Sequence, residues 1–67
     1  MMKFKCRLKI ILWEKGISQK VFAEQVEMSP TSLSALVNGK SLPTFENAYK
    51  ISKALDMPLY EIWVEKE

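Results

Sequence analysis

Apolar residues near the start of the chain recur at the spacing of one helix face. The i, i+4, i+7, i+8 positions are Phe4, Leu8, Ile11 and Leu12. Gly16 follows where such a helix should end, because glycine readily takes the left-handed conformation of a helix C-terminus. The pattern predicts a first helix of about three turns.

Two more short helices should follow, each opened by a serine. Ser18 is a suitable N-cap for an apolar face made of Phe22, Ala23 and Val26. Ser29 and Pro30 then restart the chain, since proline lacks the N–H that would be unpaired at the first helical position. The inward residues of this third helix are Leu33, Leu36 and Val37, and Asn38-Gly39 ends it.

Proline marks the start of the last two predicted helices. Pro43-Thr44 opens a fourth helix with Thr44 as N-cap, and Pro58 begins a short fifth. The predicted core residues of the fourth helix are Phe45, Ala48, Ile51, Ala54 and Leu55, and the spacing of Leu59, Ile62 and Trp63 suits the short fifth helix. The predicted fold class is all-α, a compact five-helix domain. Residues 3–6 and 62–65 alternate weakly, so pairing of the two termini as a small sheet stays open.

The amino-acid composition excludes several classes of function and says less about the fold. The chain has 67 residues, 48% of them hydrophobic, which suits one domain spanning residues 1–67. It contains no histidine and only Cys6 as cysteine, so the usual general base and the common metal ligands are missing. We therefore expect no enzyme activity, no cofactor and no metal. Its longest apolar run, residues 10–13, is far too short to span a membrane, so a cytoplasmic location is expected.

Charge is distributed unevenly between the two ends. Residues 1–20 contain six basic residues and one acid, whereas residues 56–67 contain four acids and one lysine. A polyanion could approach the basic side, although ordinary solvated helix faces explain the same pattern.

The second and third helices meet at a very short turn, Val26 to Ser29. A small residue at Ala23 lets the next helix cross closely, and Leu33 and Leu36 hold the inner face of that helix. The other face of the third helix should then project from the body of the domain.

The second and third predicted helices and the segments that follow them resemble a known protein family. The stretch GISQKVFAEQVEMSPTSLSALVNGKSLPT is similar to the helix-turn-helix of the Cro and phage-repressor (XRE-type) class of bacterial transcriptional regulators. ISKALDMPLYEIW is similar to the closing pattern of that class, so the likeness covers roughly residues 4–63. It implies a lambda-repressor-like DNA-binding fold, a motif at about residues 18–38 and double-stranded DNA as partner.

The resemblance also assigns roles to residues. Gln19, first in the second helix, would bind a DNA phosphate, and Asn38, the Gly39 backbone N–H and Lys40 would clamp another. Simple helix-end and turn functions remain alternatives at these positions. The third helix would enter the major groove, and its base-facing residues would be Pro30, Thr31, Ser32, Ser34 and Ala35.

The sequence departs from the family pattern in two ways, one in the turn and one on the base-facing surface. Glu27 stands where the turn usually has glycine, at a cost on the order of 1 kcal/mol. The base-facing surface lacks the long side chains whose bidentate bonds each contribute roughly 1–3 kcal/mol of discrimination. We expect specificity to depend on dimer spacing, thymine-methyl contacts and DNA shape.

Dimerisation would have to use this same domain. The C-terminal residues Leu59, Tyr60, Trp63 and Val64 are more apolar than one helix face needs, so we predict a two-fold contact there, with Met57 and Tyr49 as further candidates. The alternative is that Ile62 and Trp63 complete the monomer core.

Two functional hypotheses follow. The first is a small bacterial or prophage-type regulator that binds DNA as a homodimer and represses by occupying a promoter. The second is a protein-interaction module of the same fold, such as an antitoxin or anti-repressor, for which the plain face of the third helix is the evidence.

Overall fold

A computed structural model describes residues 3–66 of the chain. The elements in chain order are β1 (Lys3–Cys6), α1 (Leu8–Lys15), α2 (Gln19–Gln25), α3 (Pro30–Val37), α4 (Phe45–Leu55), α5 (Leu59–Ile62) and β2 (Trp63–Lys66). The five helices are those the sequence predicts. The predicted all-α class is not confirmed, because the two ends of the described chain form a small two-stranded sheet.

The sheet joins β1 to β2 in antiparallel register. Cys6 lies opposite Trp63 and Lys3 opposite Lys66, while the Arg7 N–H extends the connection by donating to the Ile62 carbonyl at 2.8 Å. This pairing corrects the predicted start of the first helix. Phe4 belongs to a strand and is 36% exposed, and α1 begins at Leu8.

Side-chain caps fix the starts of three helices as the sequence predicts. Ser18 accepts from the Val21 N–H at 3.2 Å, and Thr44 accepts from the Asn47 N–H at 3.2 Å. Ser29 accepts from the Ser32 N–H at 3.1 Å. Each cap satisfies a backbone donor that a helix N-terminus leaves free, so the three turns before α2, α3 and α4 are locally determined.

One core fills the space between the helices and the sheet. Its fully buried side chains include Leu8, Phe22, Leu33, Ile51 and Ile62. Two predicted core residues of α4 lie outside it, because Phe45 is 86% exposed and Ala54 is also on the surface. Ala48, Ile51 and Leu55 form the buried stripe of α4, and Phe45 and Ala54 lie roughly 90° to either side of it.

Candidate nucleic-acid interface

α3 is held by one face and displays the other. Leu33, Leu36 and Val37 are buried, with 0%, 4% and 6% of their surface exposed. Thr31 and Ala35 lie on the opposite side of the helix, as the period of 3.6 residues requires. Thr31 is exposed and Ala35 is half-buried, so the outer face of α3 is open to a partner.

This face forms a shallow depression. The structure brings together in its lining four predicted base-facing residues and two predicted phosphate ligands: Pro30, Thr31, Ser34, Ala35, Asn38 and Lys40. Ser32 is exposed but lies outside this depression, nearer the Ser29 cap. The predicted surface is therefore contiguous except at Ser32.

Two serine hydroxyls on α3 already take part in intramolecular bonds. Ser29 donates to the Ser32 hydroxyl oxygen at 2.9 Å, and the Asn38 amide donates to the Ser34 hydroxyl oxygen at 3.1 Å. Each acceptor hydroxyl keeps its own proton, so Ser32 and Ser34 remain available as donors.

The N-terminus of α2 provides the first candidate phosphate contact. Gln19 and Lys20 are exposed in the first turn, where the Ser18 hydroxyl satisfies the third N–H. The N–H groups of the first two positions have no acceptor within a helix, and a helix N-terminus favours anions. Gln19 is therefore exposed at the first position of α2, and its role as a phosphate ligand stays a prediction.

The turn after α3 corrects one detail of the predicted clamp. The Gly39 N–H donates to the Leu36 carbonyl at 3.1 Å, and the Lys40 N–H donates to the Ala35 carbonyl at 2.9 Å. These bonds close the end of the helix, with Gly39 at φ +73°. The Gly39 N–H is therefore committed to the helix end, whereas the side chains of Asn38 and Lys40 are exposed.

The turn between α2 and α3 is closed in a similar way. Glu27 has a left-handed backbone with φ +58°, and the Met28 N–H donates to the Ala23 carbonyl at 2.9 Å. Ala23 is 1% exposed beneath this turn. The glutamate thus occupies the conformation expected where the family has glycine.

An apolar groove lies on the side of the domain formed by α4, α5 and the sheet. Its lining comprises Phe4, Leu42, Pro43, Phe45, Ala48, Leu59, Tyr60 and Trp63. Of the residues predicted at a dimer contact, Leu59, Tyr60 and Val64 are 46%, 76% and 38% exposed. Trp63 is only 6% exposed and belongs to the monomer core, which is the alternative that the sequence left open for it.

Sequence reasoning did not place five residues of this groove at a contact surface, and three of the five, Phe4, Leu42 and Phe45, are exposed. Phe4 and Phe45 fit the apolar pattern of the predicted core but are partly or largely exposed, and Leu42 is 61% exposed in the loop between α3 and α4. Leu42 is a large apolar residue in an otherwise polar turn, and that signal is present in the sequence.

Comparison with known proteins identifies the family. A family model described as helix-turn-helix matches residues 8–62, which include every helix of the domain. The chain belongs to the XRE-type helix-turn-helix family. This is a family of DNA-binding regulators and not of enzymes.

A solved structure supports the same assignment. The chain is similar to a crystal structure described as "a putative DNA-binding protein from Bacteroides fragilis", with 27% sequence identity and a TM-score of 0.77. The likeness covers 94% of this chain and 98% of that one, so the fold agrees over nearly its full length. Comparison with curated proteins gave no match. Within residues 3–66, no helix of this family member has the length and apolar character needed to cross a membrane.

Proposed function

We propose that this protein is a cytoplasmic transcriptional repressor that binds a specific double-stranded DNA site as a homodimer and needs no cofactor. The observation that carries the proposal is the open face of α3, where Thr31, Ala35 and Asn38 lie opposite the buried Leu33 and Leu36. A helix held in this way can enter the major groove while Gln19 and Lys40 bind the phosphates on either side.

Base recognition would rest on short side chains. The Thr31 methyl and Ala35 can contact thymine methyl groups, and the Thr31 and Ser34 hydroxyls can each donate one hydrogen bond to a base acceptor. None of these groups makes a bidentate contact. Specificity then depends on the spacing of two half-sites and on DNA shape.

The groove formed by Leu59, Tyr60, Phe45, Leu42 and Phe4 supports the homodimer. Exposed apolar side chains concentrated on one face mark an interaction surface. A second copy placed there would present two α3 helices to one duplex. Repression follows from occupancy, since a dimer covering a promoter element excludes polymerase.

Selection of bound sequences from random duplexes, followed by titration of variants by fluorescence anisotropy, tests the DNA proposal. Lys40→Gln should weaken binding to all sequences and make the slope of log K against log salt shallower by about 0.9. Thr31→Ser and Thr31→Val separate the methyl from the hydroxyl, and either should alter preference at one base position only. Wild-type protein that selects no sequence would contradict the proposal.

Sedimentation equilibrium tests the dimer. Tyr60→Ala should shift the protein toward monomer, whereas Trp13→Ala, which removes an aromatic that is 81% exposed on α1, should leave the association unchanged. A wild-type monomer at high micromolar concentration would count against the two-fold contact.

The same groove favours a second candidate, a protein-interaction module whose partner is another protein. Salt separates the two functions, because binding to duplex DNA releases counterions and weakens steeply as salt rises. Absence of salt-dependent binding to random duplex would favour the protein partner.

A further inference from the structure

A second cleft lies between the terminal sheet and the loop after α3. Three lysines line it, namely Lys3 on β1, Lys66 on β2 and Lys40 in the loop. Gly39, Ser41 and Leu42 form the loop wall, and Phe4, Cys6 and Trp63 complete the lining. Among the residues that the structure describes, no acidic side chain contributes to this lining. The cleft is therefore positively charged.

The register of the sheet concentrates this charge. Lys3 and Lys66 are directly opposite each other at the end of the two strands, where they share the face of the sheet that lies opposite to Phe4, Cys6 and Trp63. Like charges in such a pair repel and destabilise the pairing. An anion bound between them would offset that repulsion, so the pair favours an anionic ligand.

The cleft is continuous with the DNA-binding face. Lys40 lines both the depression on α3 and this cleft. Ser41 is exposed beside it, and its backbone N–H has no acceptor within residues 3–66. A strand of DNA whose phosphates are bound by Asn38 and Lys40 would continue toward the two terminal strands.

We propose that the cleft binds the DNA backbone next to the half-site, so that Lys3 and Lys66 of the terminal sheet hold phosphates beyond those held by Asn38 and Lys40. This inference rests on the proposed DNA-binding function and extends it to elements outside the helix-turn-helix. Each strand offers a phosphate every 3.4 Å along the helix axis, so several phosphates pass within reach of one basic cleft.

Salt-dependent binding to a random 20-base-pair duplex tests the proposal, with the full chain and the double variant Lys3→Gln, Lys66→Gln. We expect the slope of log K against log salt to become shallower by about 0.9 for each phosphate that the protein no longer neutralises, hence by up to about 1.8. Lys53→Gln is the matched control, because Lys53 lies on α4 in a different depression, beside Gln25 and Tyr49. Its slope should equal that of the wild type.

A charge reversal separates DNA binding from folding. Lys66→Glu places opposite charges across the sheet from Lys3, so its thermal midpoint should be no lower than that of the wild type, while its affinity for duplex falls. Unchanged salt slopes in both the double variant and Lys66→Glu, with normal wild-type binding, would overturn the cleft proposal alone. A wild-type protein with no salt-dependent binding would overturn the DNA function as well.

Discussion

The backbone of Glu27 allows a direct test of how the helix-turn-helix turn is stabilised. This residue is at φ +58° without being glycine, and its side chain is exposed. Replacing it with glycine removes the steric conflict of a Cβ in the left-handed region and leaves the core untouched. The bond from the Met28 N–H to the Ala23 carbonyl should persist, since it involves backbone atoms only.

The expected gain in the free energy of unfolding is the difference between two opposing effects, backbone strain and chain entropy. Left-handed backbone costs an L-residue roughly 1–2 kcal/mol. Glycine loses about 0.4–1 kcal/mol more conformational entropy on folding. The difference spans about 0–1.6 kcal/mol, so Glu27→Gly should raise the free energy of unfolding by about 0.8 kcal/mol. For a domain of this size each 1 kcal/mol corresponds to about 4–8 °C, so the thermal midpoint should rise by roughly 3–6 °C.

Thermal and urea unfolding followed by circular dichroism measure the effect, and two further variants isolate its cause. Glu27→Ala keeps the Cβ, so it should stay close to the wild type. Gly16→Ala is the reverse exchange at φ +68°, and no atom lies within 4 Å of the added Cβ, so its loss of about 0.5–1 kcal/mol reports backbone conformation alone. If Glu27→Ala stabilises as much as Glu27→Gly, the carboxylate and not the backbone is responsible.

Three other predictions concern single side chains. Ser29→Ala removes the cap of α3 and should cost about 1 kcal/mol in urea unfolding, with no change in the core. Trp63→Phe loses buried area but also removes the Trp63 indole N–H, which is buried without an acceptor among residues 3–66. Because leaving such a group unpaired costs about 1–3 kcal/mol, the net change in the free energy of unfolding should be small. A decrease of more than about 3 kcal/mol would contradict this prediction. Burial raises the pKa of the Cys6 thiol, against a smaller opposing effect of the Leu8 N–H. The alkylation rate of the folded protein at pH 8 should therefore be lower than the rate in urea, and it should still rise with pH where the rate of the unfolded protein no longer does. Equal rates in the folded and unfolded protein would refute this prediction.

Local signals predict the helices of this fold well. Ser18, Ser29 and Thr44 each open a helix, because the capping bond joins residues three apart and needs no tertiary context. The sheet is different, since it joins residues about sixty apart in sequence. A short strand such as Lys3–Cys6 carries little signal of its own, and its apolar Phe4 fits the helical spacing of the next segment equally well. That ambiguity is why the apolar pattern assigns Phe4 to the first helix.

The candidate site also combines features that local sequence predicts with features that depend on tertiary contacts. The positions of Thr31, Ala35 and Lys40 follow from helix period and the end of α3, so sequence could place them. The commitment of the Gly39 N–H to Leu36 depends on how the turn closes, and the burial of Trp63 depends on how β2 packs against the core of the helices. Neither feature has a local signature. The meeting of Lys3 and Lys66 also requires the register of the two strands.

The internal bonds of α3 sharpen what this helix can recognise. Ser32 and Ser34 each accept one hydrogen bond from a neighbour, which leaves each hydroxyl its own proton to donate and one lone pair to accept. Every base pair offers a donor or an acceptor to such a group in the major groove. On the proposed function, these hydroxyls would therefore discriminate weakly among sequences. On the proposed function, affinity would come largely from backbone contacts of Gln19, Lys40 and the terminal sheet, and the geometry of two paired domains would decide where those contacts can form together.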